Sequence, residues 1–216
     1  MQESPSEIPV DLDRLARVRR VNVIGTSGSG KTTFGRRLAE ILQIPFFEMD
    51  HLFWKPDWQE STDEEFLPRL QEVTSRDEWV LDGNYSRMNA IKWQNVDMIV
   101  WIDRSLVRTL YQITARSLRR AVTRAEIWKG TGNRESLRRS FFSHESVILW
   151  SLTSHRVNRR RYTAAMQDPE LARIWFVRLR TAKAVEQFLN AAEQAAGRRQ
   201  LTTKPRLHES GCRQSD

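Results

Sequence analysis

The stretch Gly25-Thr26-Ser27-Gly28-Ser29-Gly30-Lys31-Thr32 decides the fold of this 216-residue chain. It matches the pattern Gly-x-x-x-x-Gly-Lys-Ser/Thr in full. In this pattern the glycines let backbone N–H groups converge on a phosphate, and the loop enters a helix whose N-terminus favours an anion. The lysine charge lies between the β- and γ-phosphates, and the threonine hydroxyl reaches Mg²⁺. The stretch therefore predicts a P-loop that binds the phosphates of ATP or GTP.

The sequence on either side of this loop alternates between strand and helix patterns. Short apolar runs predict strands at 21–24, 45–49, 78–81, 98–102 and 174–177. Apolar residues at helical spacing predict helices at 32–42, from 62 onward, at 105–123, at about 144–166 and at 182–196. Strands that alternate with helices form a parallel sheet. We therefore expect an α/β fold with a five-stranded parallel sheet and helices on both faces.

The ends of the chain and its bulk composition limit the classes of protein to consider. We expect a flexible arm at residues 1–18, a P-loop domain at 19–196 and a disordered tail at 197–216. The single cysteine, Cys212, can form no internal disulfide and no Cys/His metal cluster. The sequence shows no signal peptide and no run of 18 apolar residues, so a cytoplasmic protein without a membrane segment is expected. The net charge of +8 predicts an anionic partner, either small-molecule phosphates, nucleic acid or a membrane surface.

Three of the predicted strands are followed by or end in an aspartate: Asp50, Asp82 and Asp103. Ligands bind beyond the carboxyl ends of strands in open α/β sheets, so a shared site is expected there. We favour Asp82 as the Mg²⁺ carboxylate, acting through water, and the alternative is a turn-forming Asp-Gly pair. Asp50 is expected to orient or deprotonate an acceptor hydroxyl, and the alternative is a helix or turn cap. Asp103 is the weakest candidate, since it can cap the helix that starts near Ser105.

An arginine-rich segment follows the fourth strand. Arg116, Arg120 and Arg124 are four residues apart and share one face of the predicted helix. Like charges at this spacing repel one another, and an anion between them would reverse the penalty. We expect residues 116–140 to form a lid over the nucleotide, and the alternative is a solvated helix face. A second basic cluster at 155–161 lies in no motif and is expected to be a solvated helix end.

Aromatic residues precede the helix that begins near residue 62. Phe53, Trp54 and Trp58 would stack on a base or line an acceptor pocket, or they would form the small core of a helical insert at 51–76. The sequence lacks the Asn-Lys-x-Asp motif of GTPases and the Leu-Ser-Gly-Gly signature of transporter ATPases. The insert and the arginine-rich segment favour a small kinase that transfers a phosphoryl group.

With these motifs the chain resembles the adenylate-kinase-related small P-loop kinases, often described as adenylate kinase or DNA topology modulation protein. The resemblance rests on residues 25–33, 49–56, 79–86 and 132–136. It implies a P-loop NTPase fold of the nucleoside-monophosphate-kinase type, with a helical acceptor insert and an arginine-rich lid. Residues 82–87 read Asp-Gly-Asn-Tyr-Ser-Arg where adenylate kinase has Asp-Gly-Phe-Pro-Arg, which argues against AMP as the acceptor.

The predicted function is a Mg²⁺-dependent kinase that moves the γ-phosphate of ATP to a nucleoside monophosphate or another small acceptor. The predicted catalytic residues are Lys31, Asp50, Arg116 and Arg120, and the predicted metal ligands are Thr32 and Asp82. The residues predicted to bind the nucleotide are Gly25, Ser27, Gly28, Ser29, Gly30, Lys31, Thr32, Thr33, Arg116, Arg120 and Arg124. The alternative is a nucleic-acid-associated P-loop ATPase or a nucleotide-dependent regulator, which the net charge favours although no nucleic-acid-binding motif is visible.

Overall fold

All five predicted strands are present in the computed structural model, which describes residues 10–123, 127, 132–133 and 147–203. The strands are β1 (Arg20–Ile24), β2 (Phe46–Glu48), β3 (Trp79–Asp82), β4 (Met98–Ile102) and β5 (Trp175–Leu179). They form one parallel sheet in the order β2-β3-β1-β4-β5. This order places the strand before the P-loop in the centre of the sheet, so that β3 and β4 flank it on either side.

Eight α-helices lie in the described part of the chain. They are α1 (Leu12–Arg17), α2 (Lys31–Leu42), α3 (Met49–Phe53), α4 (Asp63–Thr74), α5 (Asn89–Lys92), α6 (Leu106–Thr123), α7 (Val147–Gln167) and α8 (Ala182–Thr203). A capping box begins α4, with the Thr62 N–H donating to the Glu65 carboxylate at 2.9 Å. None of the described helices is long and apolar enough to cross a membrane.

The sheet separates two apolar cores, which explains the continuous apolar runs in its central strands. One core packs α1, α2 and α8 against one face of the sheet. The other packs α3, α4 and one end of α7 against the opposite face. Every residue of β4 is buried, as expected for a parallel strand covered on both sides. The predicted α/β fold with helices on both faces is therefore confirmed.

Both ends of the described chain are more ordered than the sequence suggested. The expected flexible arm is wrong for residues 12–17, which form α1, a helix capped by the Asp11 side chain. Leu15 of this helix is fully buried in the core beside α8. A six-residue helix is too short to be stable alone, so its packing on the body of the protein holds it. Helix α8 also continues to Thr203, past the predicted end at residue 196, while 1–9 and 204–216 lie outside the described residues.

Candidate functional site

The P-loop connects the buried end of β1 to the first turn of α2. Gly30 precedes α2 with a φ of 92°, a left-handed conformation that favours glycine. Gly28 has a φ of 76°, and a Cβ at this position would lie 2.3 Å from Cγ1 of Ile113. The apex of the loop therefore packs directly under α6, and a side chain at position 28 would force the two apart. Ser29 is buried in the loop, whereas Thr33 is exposed on α2.

The predicted metal ligands Thr32 and Asp82 lie side by side. The Thr32 hydroxyl donates to Oδ2 of Asp82 at 2.5 Å, and Nζ of Lys31 is 4.0 Å from Oδ1. Asp82 is 5% exposed, and Oδ1 has no hydrogen-bond partner in the described part of the chain. Burial raises the pKa of Asp82 to about 6, while Lys31 and Thr32 act in the opposite direction.

This donor set fits a magnesium ion. Mg²⁺ in nucleotide sites is commonly bound by one or two carboxylates together with substrate phosphates and water. A hydroxyl and a buried carboxylate with one oxygen free of hydrogen bonds provide such ligands at the start of α2. The geometry agrees with the predicted pairing, and the metal-binding role itself stays a prediction.

The turn after Asp82 is joined to the P-loop by an asparagine that the sequence reasoning missed. The Asn84 side chain accepts from the N–H of Gly25 at 2.9 Å and donates to the C=O of Gly25 at 2.8 Å. Asn22, a buried polar residue in β1, donates to the C=O of Leu81 at 2.9 Å and of Gly83 at 3.3 Å. A polar residue inside the apolar run 21–24 was the available signal, because a buried amide requires hydrogen-bond partners.

A buried lysine lies behind the same turn, and it was also missed. Lys92 is fully buried at the end of α5, and its Nζ donates to the C=O of Gly83 at 3.2 Å and to the C=O of Asn84. Burial lowers the pKa of Lys92 to about 7, against the opposing effect of Asp82. In the sequence nothing marked this residue, since it lies in no motif between the third and fourth predicted strands.

Asp50 lies near the same crevice, although not at the strand end where it was expected. Strand β2 ends at Glu48, so Asp50 falls in the first turn of α3. Its Oδ1 accepts a hydrogen bond of 2.9 Å from the hydroxyl of Tyr85. Burial, followed by the charge of Asp50, raises the pKa of Tyr85, which keeps the phenol protonated. The charge of Asp50 also contributes to the raised pKa of Asp82, so the two carboxylates interact across the crevice.

The aromatic residues of the insert pack mainly on one another. Phe53 is buried, with its ring centroid 5.3 Å from those of Phe66 and Tyr85. Trp54 contacts Phe53 at 5.3 Å and Trp58 at 5.8 Å between ring centroids. The small-core alternative therefore holds for Phe53, and Trp54 and Trp58 extend this cluster outward as half-buried rings.

One residue of the arginine-rich segment contacts the insert. Asn133 is 1% exposed, accepts from the N–H of Trp58 at 3.0 Å and donates to the C=O of Lys55 at 2.9 Å. Arg116 and Arg120 lie half-buried in α6, which runs unbroken to Thr123. Arg124 and most of 124–140 lie outside the described residues, so the predicted lid and the roles of its arginines stay predictions.

Asp103 has a different role from the predicted cap. Ser105 precedes α6, and its Oγ accepts from the N–H of Arg108 at 3.4 Å. Asp103 instead accepts two hydrogen bonds from Arg178, at 2.9 Å from Nε and 2.6 Å from Nη2. Arg159 and Arg180 approach the same carboxylate at 3.6 and 3.8 Å.

The basic cluster at 155–161 is therefore only partly a solvated helix end. His155 is buried, with its Nε2 3.1 Å from the C=O of Arg104. Arg159 approaches Asp103, and Arg161 donates to the hydroxyl of Ser86 at 2.7 Å. Part of this cluster therefore has partners within the protein, and the predicted nucleic-acid partner stays a prediction based on net charge.

Comparisons with known proteins give one partial family match and several distant structural matches. The shikimate kinase family model matches residues 27–79, from within the P-loop to the first residue of β3. Among solved structures, a gluconokinase from Sinorhizobium meliloti is 18% identical with a TM-score of 0.45, covering 86% of this chain and 98% of its own. A shikimate kinase from Acinetobacter baumannii, solved with shikimate, is 18% identical with a TM-score of 0.47, covering 91% and 99%. A search of curated proteins found no match.

The strand order and the loop geometry of this chain carry the assignment of the fold. The P-loop lies between the central strand β1 and helix α2, and both neighbouring strands bring an aspartate to the carboxyl edge of the sheet. This is the predicted P-loop NTPase fold. The closer relation to adenylate-kinase-related proteins, as opposed to other small P-loop kinases, stays a prediction.

Proposed function

We propose that this protein is a Mg²⁺-dependent kinase that transfers the γ-phosphate of ATP to a small acceptor. The observation that carries the proposal is the contact of Thr32 with the buried Asp82 beside Lys31, which leaves one carboxylate oxygen without a hydrogen bond. A metal–phosphate complex would satisfy this oxygen and remove the cost of a buried negative charge.

On the donor side the protein binds and orients the triphosphate. The backbone N–H groups of the loop and the N-terminus of α2 face the phosphates, and Lys31 adds a fixed positive charge. Thr32 and Asp82 would hold the Mg²⁺ ion, which when bound neutralises charge on the β- and γ-phosphates. Phosphoryl transfer needs little covalent chemistry from the protein, so positioning and charge supply most of the rate enhancement.

On the acceptor side Asp50 is the proposed partner of the attacking hydroxyl. Tyr85 donates to Oδ1 and thereby fixes the orientation of the carboxylate. The second oxygen then accepts the proton of the acceptor hydroxyl as the phosphoryl group is transferred. The half-buried Trp54 and Trp58 line the adjacent insert and would contact the body of a small acceptor. Arg116 and Arg120 are proposed to stabilise the transferring phosphate.

A panel of acceptors tests this proposal. Purified protein is incubated with Mg·ATP and nucleoside monophosphates, shikimate or other small hydroxylated metabolites, and phosphorylated products are identified by mass spectrometry. We expect ADP formation that depends on one class of acceptor and falls at least about 100-fold in Asp50→Asn, in line with loss of a general base. Glu193→Gln, a carboxylate change at an exposed position of α8, serves as the matched control. Binding of Mg·ATP without consumption of any acceptor would overturn the kinase proposal.

A further inference from the structure

The buried ammonium of Lys92 has no role in the transfer chemistry proposed above. No carboxylate of the described residues lies within 4.0 Å of Lys92, although the side chain is 0% exposed. Its two hydrogen-bond acceptors are the backbone carbonyls of Gly83 and Asn84. A buried lysine without a carboxylate within ion-pair distance is costly to ionise, and perturbed groups of this kind are concentrated at functional sites. The position of Lys92 therefore calls for a reason beyond packing.

Lys92 holds the backbone of the two residues that follow Asp82. One of them, Gly83, also donates its N–H to the C=O of Val23 at 3.1 Å, which extends the pairing of β3 with β1. The other, Asn84, bonds both backbone groups of Gly25 through its side chain. Asn84 thus links the Lys92 ammonium to Gly25, the first residue of the P-loop, through hydrogen bonds on both sides.

The neighbouring residue Trp93 reaches the same turn from the other side. Its indole N–H donates to Oδ1 of Asn22 at 2.8 Å, and Nδ2 of Asn22 donates to the C=O of Gly83 at 3.3 Å. The C=O of Gly83 thus accepts from Lys92 on α5 and from Asn22 on β1. Lys92 and Trp93, at the end of α5, therefore both hold the Gly83 turn, Lys92 by direct hydrogen bonds and Trp93 through Asn22.

Space around the turn is limited as well. Gly83 has a φ of 153°, and a Cβ there would lie 2.6 Å from Cβ of Met49, the first residue of α3. The turn is therefore enclosed by α3, β1 and α5, and a shift of its backbone would move Asp82 relative to Thr32. Outer residues that orient a metal ligand commonly change metal affinity 10- to 100-fold when they are replaced.

We propose that Lys92 is a positioning residue for the Mg·ATP site, which holds the Gly83–Asn84 backbone so that Asp82 faces Thr32 and Asn84 remains on Gly25. This inference rests on the proposed binding of Mg·ATP but not on the identity of the acceptor. It assigns to Lys92 an effect on ligand affinity that is separate from its effect on folding stability. In this role Lys92 acts through the backbone of the turn and not by contact with the nucleotide or the metal.

The test measures nucleotide affinity on the full-length protein by calorimetry, with Mg²⁺ and with EDTA. We expect Lys92→Met to weaken Mg·ATP binding about tenfold or more and metal-free ATP binding by less, because Asp82 acts through the metal. Lys92→Arg keeps the charge and the donors and is expected to restore most of the affinity. Lys55→Met is the matched control, since it removes a lysine that pairs with Glu65 in the insert at 2.7 Å.

Thermal unfolding separates positioning from simple stabilisation. If folded Lys92→Met binds Mg·ATP with wild-type affinity and differs only in melting temperature, the inference is overturned. If Lys92→Met does not fold, Asn84→Ala carries the test, because it breaks the link to Gly25 while Lys92 remains. Wild-type affinity in folded Asn84→Ala would likewise overturn the inference. A wild-type protein that binds Mg·ATP but phosphorylates nothing would overturn only the kinase proposal.

Discussion

Two buried aspartates lie at the ends of the strands that flank β1, and their surroundings are opposite. Asp82 is 5% exposed and Asp103 is 7% exposed, so burial does not distinguish them. Asp82 accepts one hydrogen bond, from the Thr32 hydroxyl, and Nζ of Lys31 lies 4.0 Å away. Asp103 has three arginines within 4.0 Å, one of which donates two hydrogen bonds.

The difference lies in how far the protein itself neutralises each carboxylate. A buried carboxylate is costly unless cations or hydrogen-bond donors compensate it. The arginines compensate Asp103 and tie the ends of β4 and β5 to α7. Asp82 is compensated only in part, and the missing positive charge fits the proposed Mg²⁺. Asp103 is therefore a structural anchor, whereas a ligand role for Asp82 stays a proposal.

The largest expected effect is on the loop that the two aspartates flank. Lys31→Ala removes the positive charge beside Asp82 and the proposed contact to the phosphates. We expect acceptor-dependent ADP formation to fall at least about 100-fold, as for other lost contacts to a transition-state charge. Steady-state assays with saturating ATP measure this, with Lys183→Ala, at an exposed position of α8, as the control. Retained activity would remove the P-loop from the mechanism.

Replacement of Asp103, the aspartate that three arginines compensate, is expected to reduce stability and leave Mg·ATP binding nearly unchanged. Asp103→Asn leaves three arginines without their shared carboxylate, and breaking a buried pair costs about 3 kcal/mol. Urea denaturation monitors the free energy of unfolding, and calorimetry monitors Mg·ATP affinity, which we expect to change less than about threefold. A large loss of affinity with normal stability would make Asp103 part of the ligand site.

Replacement of Asp82, which is compensated only in part, is expected to increase the stability of the protein. The pKa of Asp82 is raised to about 6 from 3.8, so the ionised form is disfavoured in the folded protein by about 3 kcal/mol. Asp82→Asn removes this cost, and we expect the nucleotide-free protein to gain about 1 to 3 kcal/mol at pH 8. The gain in ATP affinity on adding Mg²⁺ should disappear in the same variant. A less stable variant would show that Asp82 is already compensated.

The smallest effect is the pH dependence of that stability difference. Folded Asp82 binds its proton more tightly than the unfolded chain does, so wild-type stability falls as pH rises from about 4 to about 6. The stability gap between Asp82→Asn and wild type should therefore be small near pH 4, widen up to about pH 6 and stay constant above it. Urea denaturation of both proteins at half-unit pH steps measures the gap. A gap independent of pH would contradict the raised pKa.

The donor side of the site was largely predictable because its signals are local. The glycines, Lys31 and Thr32 lie within one eight-residue pattern, and the flanking strand and helix follow from apolar periodicity. The pairing of Thr32 with Asp82 followed from a general rule about strand ends in parallel sheets. Helix α1 was missed because its burial depends on α8, at the other end of the chain.

The sequence alone determined that a phosphate-binding loop opens a helix and that acidic residues follow the strands of a parallel sheet. These properties depend on backbone conformation and on periodicity, which neighbouring residues set. Only the tertiary structure decided that Asp103 is held by Arg178, 75 residues away, and that Asn84 holds Gly25, 59 residues away. Strand-end aspartates look alike in a sequence, because the charge that surrounds a buried carboxylate comes from elements far apart in the chain.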